Sequence, residues 1–251
     1  MSSTGQVAVI IPAAGQGTRL GGHRKQFRVL GGKSVLLQTL LVFERHARVD
    51  HIVVATPADA VEPLAVELRR VGISKLQGVV AGGDSRQASV HAALRVLPEA
   101  VDVVLIHDAV RPFVRMSSVE QVIDETRRSG AASLALPITD TVRRIKAVDG
   151  QVCFGDTVPR EQLVRIQTPQ GFRTSWLREA HEKAEQEGWQ ATDDVHLVQK
   201  MGHTVHAVPG ARMNLKITTL EDWDEALRYW PQWEHILARE EREHIVGQET
   251  R

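Results

Sequence analysis

Cysteine is almost missing from this 251-residue chain, which has Cys153 alone. One thiol cannot close an intramolecular disulfide, nor build a zinc site from several cysteines. Net charge is missing as well. Lysine plus arginine number 31, and so do aspartate plus glutamate. That balance argues against a surface coated in basic charge for nucleic acid and leaves room for a local basic pocket. Long apolar runs are also lacking. Stretches such as residues 7–14 fall far short of the ~20 residues that cross a bilayer. The opening MSSTGQ shows no basic stretch followed by a cleavable apolar segment, so a soluble, cytoplasmic protein is expected rather than a secreted one.

What remains is the composition of a soluble globular protein, with 42% hydrophobic and 25% charged residues. The length suits one large domain, or one domain with an appendage. Folding at this size buries roughly 70–75% of the unfolded surface, so no covalent staple is needed. Four short apolar runs, residues 7–14, 51–56, 103–106 and 131–138, predict near-continuous strands of a parallel sheet covered on both faces. Helical patterns lie between them. Val61, Leu64, Ala65 and Leu68 make one stripe with Gly72 as a stop. Leu36, Leu37, Leu40 and Leu41 make another. Ser117 with Glu120 predicts a capping box for a helix that Gly130 ends. Thr219 with Asp222 predicts another helix, turning Trp223, Ala226, Leu227 and Trp230 inward. Strands alternating with helices give an α/β fold with right-handed crossovers.

One stretch breaks the alternation. Residues 139–160 carry Asp149-Gly150, a hairpin turn signal, between residues 141–148 and 151–158. Such a hairpin reads either as a surface flap or as an arm that grips a partner subunit. From about residue 234 the chain is rich in Glu, Arg and His, which predicts a solvated terminal helix or a frayed tail.

Four clusters carry the chemistry. The first, Pro12-Ala-Ala-Gly15-Gln-Gly17-Thr-Arg19-Leu20, follows the first strand. Small residues let backbone N–H groups wrap an anion, and Arg19 and Lys25 lie where they could reach phosphate oxygens. A dinucleotide fingerprint would need Gly at 20, and a Walker A loop would need Gly at 27, where Phe27 stands. The plainer reading is a tight turn with two surface cations. The second cluster, Gly82-Gly83-Asp84-Ser85-Arg86 through Ser89, is a loop entering a helix. It suits a flat base read by main-chain groups, or simply an N-cap turn. In the third, His107-Asp108-Ala109-Val110-Arg111, a buried strand ends where open α/β sheets bind ligands. Asp108 is there a natural Mg²⁺ ligand beside a phosphate loop, or else half of an ion pair with Arg111. The fourth set is Arg160, Thr168-Pro169-Gln170, Thr192-Asp193-Asp194 and Asn214-Leu215-Lys216-Ile217-Thr218. Thr192-Asp193-Asp194 reads as a helix N-cap with acids in the first turn. Lys216, in what looks like an apolar strand, must point at something or sit on an exposed face. His196, His203 and His206 lack the spacing of a zinc helix, and no Ser-His-Asp order is visible.

These motifs occur in one order along the chain: Pro-Ala-Ala-Gly-x-Gly-x-Arg, Lys-Gln at 25–26, Gly-Gly-x-x-Arg, His-Asp-Ala-x-Arg-Pro, Asp-Thr-Val-Arg, Thr-Pro-Gln-Gly-Phe, Thr-Asp-Asp and Asn-x-Lys-Ile-Thr. The ordered set resembles the 2-C-methyl-D-erythritol 4-phosphate cytidylyltransferase family over roughly residues 7–230. The resemblance implies an α/β, Rossmann-like nucleotidyltransferase three-layer sandwich with a mostly parallel sheet. Residues 1–233 would form the domain and 234–251 a charged C-terminal tail. The hairpin at about 139–160 would be a protruding dimerisation arm that completes the partner's site in a homodimer. The implied reaction joins CTP and methylerythritol phosphate, with Mg²⁺, in isoprenoid biosynthesis. Carried over residue by residue, Ala13, Ala14, Gly15 and Gly17 would surround the triphosphate. Arg19, Lys25 and Lys216 would be the catalytic cations. Gly82, Asp84 and Ser89 would face the cytidine, Ala109 the ribose, and Asp108 the metal. Arg111, Thr141, Arg160, Thr168 and Thr192 would hold the polyol phosphate. Neither a nucleic acid nor a membrane is an implied partner. Two departures stand out. Val110 replaces a usual alanine, giving a motif also typical of ribitol-5-phosphate cytidylyltransferases, and Val164 stands where tryptophan is common. A non-catalytic protein of this fold and a sugar-phosphate transferase using UTP or ATP are the other readings.

Overall fold

The computed structural model describes residues 5–15, 24–148 and 150–249. The chain begins with β1 (Gln6–Pro12), the short pair β2 (Val29–Leu30) and β3 (Lys33–Ser34), α1 (Val35–Arg45), β4 (His51–Thr56), α2 (Val61–Arg70) and β5 (Leu76–Ala81). It continues through α3 (Arg86–Leu94), β6 (Val101–Ile106), α4 (Met116–Ser129) and β7 (Ala131–Pro137). The hairpin β8 (Val142–Val148) and β9 (Gln151–Val158) follows. Then come β10 (Val164–Arg173), α5 (Thr174–Gln186), α6 (Asp194–Lys200), β11 (His206–Pro209) and α7 (Leu220–Glu249).

Seven strands form one sheet in the order β11-β7-β10-β6-β1-β4-β5. β1 runs parallel to β4 and β6, β4 to β5, and β7 to β11. Only β10 is antiparallel, to both β6 and β7. Alternation along a strand explains the two cores. In β1, Val7, Val9 and Ile11 enter one core with Leu36 and Leu40 of α1, Val119 of α4 and Trp233 of α7. Ala8 and Ile10 enter the other with Val90 of α3, Leu177 of α5 and Val198 of α6. A strand buried on both faces has no polar side, hence the unbroken apolar runs. The result is a three-layer α/β sandwich.

Local chemistry sets the helix ends. The hydroxyl of Ser34 accepts from Leu37 N–H at 3.2 Å and caps α1. Gly130, at φ 93°, ends α4 in the left-handed conformation that glycine adopts freely. Thr219 and Asp222 form the predicted reciprocal cap of α7, with Asp222 N–H donating to the Thr219 hydroxyl and Thr219 N–H to the Asp222 carboxylate. The box predicted at Ser117 is absent. Helix α4 starts at Met116 after Arg115, whose carbonyl takes the N–H groups of both Ser118 and Val119, so Ser117 already lies inside the first turn. Within the seven-stranded sheet, three strands, β5, β10 and β11, arise where the sequence showed no clear run.

Helix α7 also departs from expectation. Leu227 points to solvent, 49% exposed, while Trp233 is wholly buried. Packing continues beyond residue 234 through Ile236 and Leu237, and Met116 N–H donates to Glu240 Oε2 at 3.3 Å. Gly31 shows why this helix lies so close: at φ 58°, a Cβ there would fall within 2.0 Å of the Trp230 ring.

The hairpin forms its own two-stranded sheet, turning at Gly150 with φ 77°; Asp149 lies outside the described residues. Ile145 and Phe154 on it are 70% and 78% exposed, so these large apolar side chains are not packed against the domain. Among the described residues no helix is long and apolar enough to cross a membrane.

Candidate active site

Three loops at the carboxyl ends of β1, β5 and β6 enclose a cleft of about 470 Å³. This is where open parallel sheets present ligand sites, because the chain turns there from strand to helix and leaves main-chain groups exposed. Pro12 to Gly15 form one wall, Gly82 to Arg86 with Ser89 another, and Asp108 to Val110 the floor; Lys25, Gln26 and Lys216 close the rim.

The first wall is pinned by a side chain. Gln26, 3% exposed, donates its Nε2 to the carbonyls of Ala13 at 2.7 Å and Gly15 at 3.2 Å. Ala13 N–H also donates to Ala55 O at 2.6 Å. The second wall needs its glycine. A Cβ on Gly82 would stand 2.4 Å from Ala14 Cβ and 2.7 Å from Ser89 Oγ, so only glycine lets the two loops approach. Ser85 caps α3 by accepting from Ala88 N–H at 3.0 Å. The buried Ser89 hydroxyl donates back to Ser85 O at 2.8 Å.

On the floor, Asp108 is 6% exposed and meets three cations. Lys216 Nζ lies 3.0 Å and Arg111 Nε 3.1 Å from its Oδ2, and Arg86 Nε lies 3.4 Å from Oδ1. Burial alone would raise the carboxyl's pKa, but Lys216, Arg86 and Arg111 outweigh it and hold it below the usual carboxylate range. The group is therefore ionised at neutral pH.

Arg86 reaches further. Its Nη1 donates to Asp194 Oδ2 at 2.5 Å. Asp194 is 1% exposed and also meets His181 Nε2 at 2.9 Å. One guanidinium thus ties the start of α3 to the floor and to the first turn of α6. Asp193 caps α6 as predicted, accepting from His196 N–H at 2.9 Å.

Beneath the floor runs a hydrogen-bond chain. His107 is wholly buried, and desolvation pushes its pKa down to about 4, so it is neutral. Its Nε2 faces Arg111 O at 3.0 Å and must carry the proton. Its Nδ1 then accepts from the Thr168 hydroxyl at 3.1 Å, and that oxygen accepts from Asp108 N–H at 3.0 Å.

The cleft thus brings together Ala13, Ala14, Gly15, Lys25, Gly82, Asp84, Ser89, Asp108, Ala109 and Lys216 from the sequence reading. Gly17 and Arg19 lie outside the described residues. Arg111 and Thr168 do not line the cleft. Arg111 is spent on Asp108 and on Asn214 O at 2.7 Å, and Thr168 on the His107 chain. Thr141, Arg160 and Thr192 do not line it either. All three are exposed, and Arg160 donates to Thr139 O at the base of the hairpin. Lys216 is not in a strand. It lies in the loop before α7, and Ile217 N–H, donating to Val110 O at 3.0 Å, draws it over Asp108. Sequence reasoning missed the parts of Arg86, Gln26 and Asp194. The only signal was their place inside the motifs, since their partners are distant in the chain.

A glycine-walled cleft with converging cations, at the carboxyl end of a sheet in this topology, defines a nucleotidyltransferase of the α/β class. The family model for 2-C-methyl-D-erythritol 4-phosphate cytidylyltransferase matches residues 7–230. The enzyme of that name from Salinibacter ruber is 52% identical over 93% of this chain and 96% of its own length. That from Halalkalibacterium halodurans is 41% identical over 94% of this chain and 99% of its own. The crystal structure of the Thermus thermophilus enzyme, 38% identical, superposes with a TM-score of 0.75 over 90% of this chain and 99% of that one. This chain belongs to the 2-C-methyl-D-erythritol 4-phosphate cytidylyltransferase family.

Proposed function

We propose that the protein joins CTP and 2-C-methyl-D-erythritol 4-phosphate to give CDP-methylerythritol and pyrophosphate, a step of isoprenoid biosynthesis. The observation that carries this is the meeting of Lys25, Asp108 and Lys216 in one cleft between two glycine loops, in a chain of this family. An oxygen of the methylerythritol phosphate attacks the α-phosphorus of CTP in line. A new P–O bond forms, the bond to the bridging oxygen breaks, and pyrophosphate leaves with its electron pair. No protein nucleophile is needed, so the enzyme's work is orientation and neutralisation of charge.

Each residue then has a task. Ala14 and Gly15, with Gly17, offer main-chain N–H groups to the triphosphate, while Ala13, its own N–H held by Ala55 O, lines the wall beside it. Gly82, Asp84 and Ser89 flank the base, and Ala109 the ribose. Lys25, Lys216 and Arg19 balance the charge that builds as pyrophosphate departs. Arg111 and Thr168 act through Asp108, which they hold in place, rather than on the substrate.

Asp108 suits Mg²⁺. It stays ionised, and its Oδ1 has one weak contact at 3.4 Å. Among the described residues no group of three acidic, histidine or cysteine side chains is placed to hold a metal ion by itself. The ion would accordingly be shared between Asp108 and phosphate oxygens, as Mg²⁺ commonly is. When bound, it supplies charge neutralisation and orientation of the triphosphate.

The hairpin is proposed as the contact of a homodimer. Its exposed Ile145 and Phe154 favour that over a solvated flap. Thr141 and Arg160 would then serve the partner's cleft with Thr192, holding the polyol phosphate. A cytoplasmic location is part of the same proposal, since the proposed substrates are small polar phosphates.

The deciding experiment is pyrophosphate release with CTP and Mg²⁺, comparing methylerythritol 4-phosphate with ribitol 5-phosphate, and CTP with UTP and ATP. A strong preference for methylerythritol phosphate and CTP is expected. Preference for ribitol phosphate would overturn the substrate and point to Val110, which is 5% exposed on the cleft floor.

A further inference from the structure

A second pocket opens at the other end of the sheet. Its volume is about 450 Å³, and Arg127, Arg173, Arg178 and Thr174 line it together with Glu99 and Asp102. It lies at the start of β6, whereas Asp108 follows that strand's end. Six residues of extended chain, about 20 Å, separate the two.

We propose that this pocket binds the phosphate of a small hydroxyl-bearing phosphomonoester, as a site separate from the catalytic cleft. Four observations converge on it. The first is the N-terminus of the 13-residue helix α5, which opens here with no side-chain cap and no acidic residue in its first turn. No acid in its own first turn therefore offsets the positive end of its dipole there. The second is Thr174, which is 5% exposed, with a hydroxyl lacking any partner among the described residues. A buried hydroxyl without a partner is costly and calls for one. The third is that the Nε groups of Arg127 and Arg178 are likewise buried and without a partner. Their other contacts, Arg127 Nη2 to Gly5 O at 2.8 Å and Arg178 Nη2 to Leu97 O at 3.1 Å, hold both guanidiniums in place. The fourth is Arg173, whose guanidinium lies 5.4 Å from the Trp176 ring centre, a third cation at the pocket.

The pocket's acids define the rest of the ligand. Three arginines against Glu99 and Asp102 leave one positive charge, which with the helix end suits a single phosphate better than a triphosphate. The carboxylates can accept hydrogen bonds from hydroxyls on the ligand's carbon skeleton. The volume lies in the range of small-molecule sites and leaves room beside the phosphate for such a skeleton.

The test is NMR of the arginine Nε–H groups in the full-length protein, with resonances assigned through Arg127→Lys and Arg178→Lys. Glycerol 3-phosphate, inorganic phosphate and chloride are titrated separately, with CTP present in excess to occupy the cleft. Glycerol 3-phosphate is expected to shift both resonances and slow their exchange with water. Inorganic phosphate should do so more weakly, and chloride not at all. Thr174→Val should weaken the effect about tenfold while leaving the rate of pyrophosphate release unchanged. Equal response to both phosphates would remove the hydroxyl-bearing part of the proposal. No response of either resonance up to saturating glycerol 3-phosphate, or a response abolished by Lys216→Ala but not by Thr174→Val, would overturn the site.

Discussion

Lys216 and Asp108 stand 3.0 Å apart across the cleft floor, brought together from distant parts of the chain. The lysine side chain is 43% exposed and the Asp108 side chain 9%, and Arg86 and Arg111 stay paired with the buried carboxylate when the lysine is removed. Lys216→Ala is therefore expected to leave the urea midpoint nearly unchanged and to lower kcat by about 10²–10³, the usual loss for one charge-stabilising group. Lys25→Ala should behave alike. Near-normal turnover in either variant would refute the proposed role.

Arg86 should matter for stability more than its exposure suggests. Arg86→Met leaves the buried Asp194 carboxylate without its guanidinium, with the His181 hydrogen bond as its remaining side-chain contact among the described residues. Removing one member of a buried ion pair costs about 3 kcal/mol or more. Urea unfolding should show that loss. Arg86→Lys should restore only part of it, because an ammonium cannot span two carboxylates as the planar guanidinium does.

Gly82→Ala tests the close approach of the two cleft walls. Its Cβ would overlap Ala14 and Ser89, so a loss of about 1–3 kcal/mol is expected, with a raised KM for the nucleotide. Gly78→Ala, where a Cβ meets nothing within 4 Å, is the control. Equal effects at the two positions would dismiss the packing argument.

Mild acid should weaken the fold through buried histidine. His46 is 4% exposed, and burial outweighs nearby Glu120 to push its pKa down to about 4 from the ordinary 6.5. Between those values the unfolded chain binds the proton and the folded one does not. Stability is thus full above pH 6.5 and falls as pH drops towards 4, by roughly 3 kcal/mol from this group. Wholly buried His107, also pushed down to about 4, adds a like loss over the same window, so His46→Gln should roughly halve the slope of urea stability there. An unchanged slope would contradict the shift.

The hairpin's apolar face predicts self-association. Phe154→Asp should raise the dimer dissociation constant measured by sedimentation and lower turnover at dilute enzyme, with the monomer's helix content intact. A variant that sediments as the parent does would separate Phe154 from the interface.

Much of the frame was legible in the residues themselves. β1, β4, β6 and β7 are doubly covered strands, and an unbroken apolar run is their local signature. Gly130 and the Thr219–Asp222 pair ended and began helices where expected, because caps are local chemistry. The Pro-Ala-Ala-Gly loop, Gly82 and Asp108 were legible as small residues and a carboxylate at strand ends, each with a plain structural reading beside the chemical one; that they line one cleft came from the fold. Ser117 misled because a capping box is a pattern, and the actual helix start depended on the chain path through Arg115. β10 escaped notice because Pro169 and Gly171 interrupt it, and its place between β6 and β7 depends on pairing with both. The pairing of Arg111 with Asp108, three residues away, was one of the two readings open in the sequence, whereas Arg86, Gln26 and Thr168 acquired their parts only in three dimensions. Each works through partners far along the chain, and hydrogen bonds and ion pairs of that kind act over a few ångströms of space. Local sequence determined the strands, turns and glycine loops; tertiary packing decided which charges meet at Asp108.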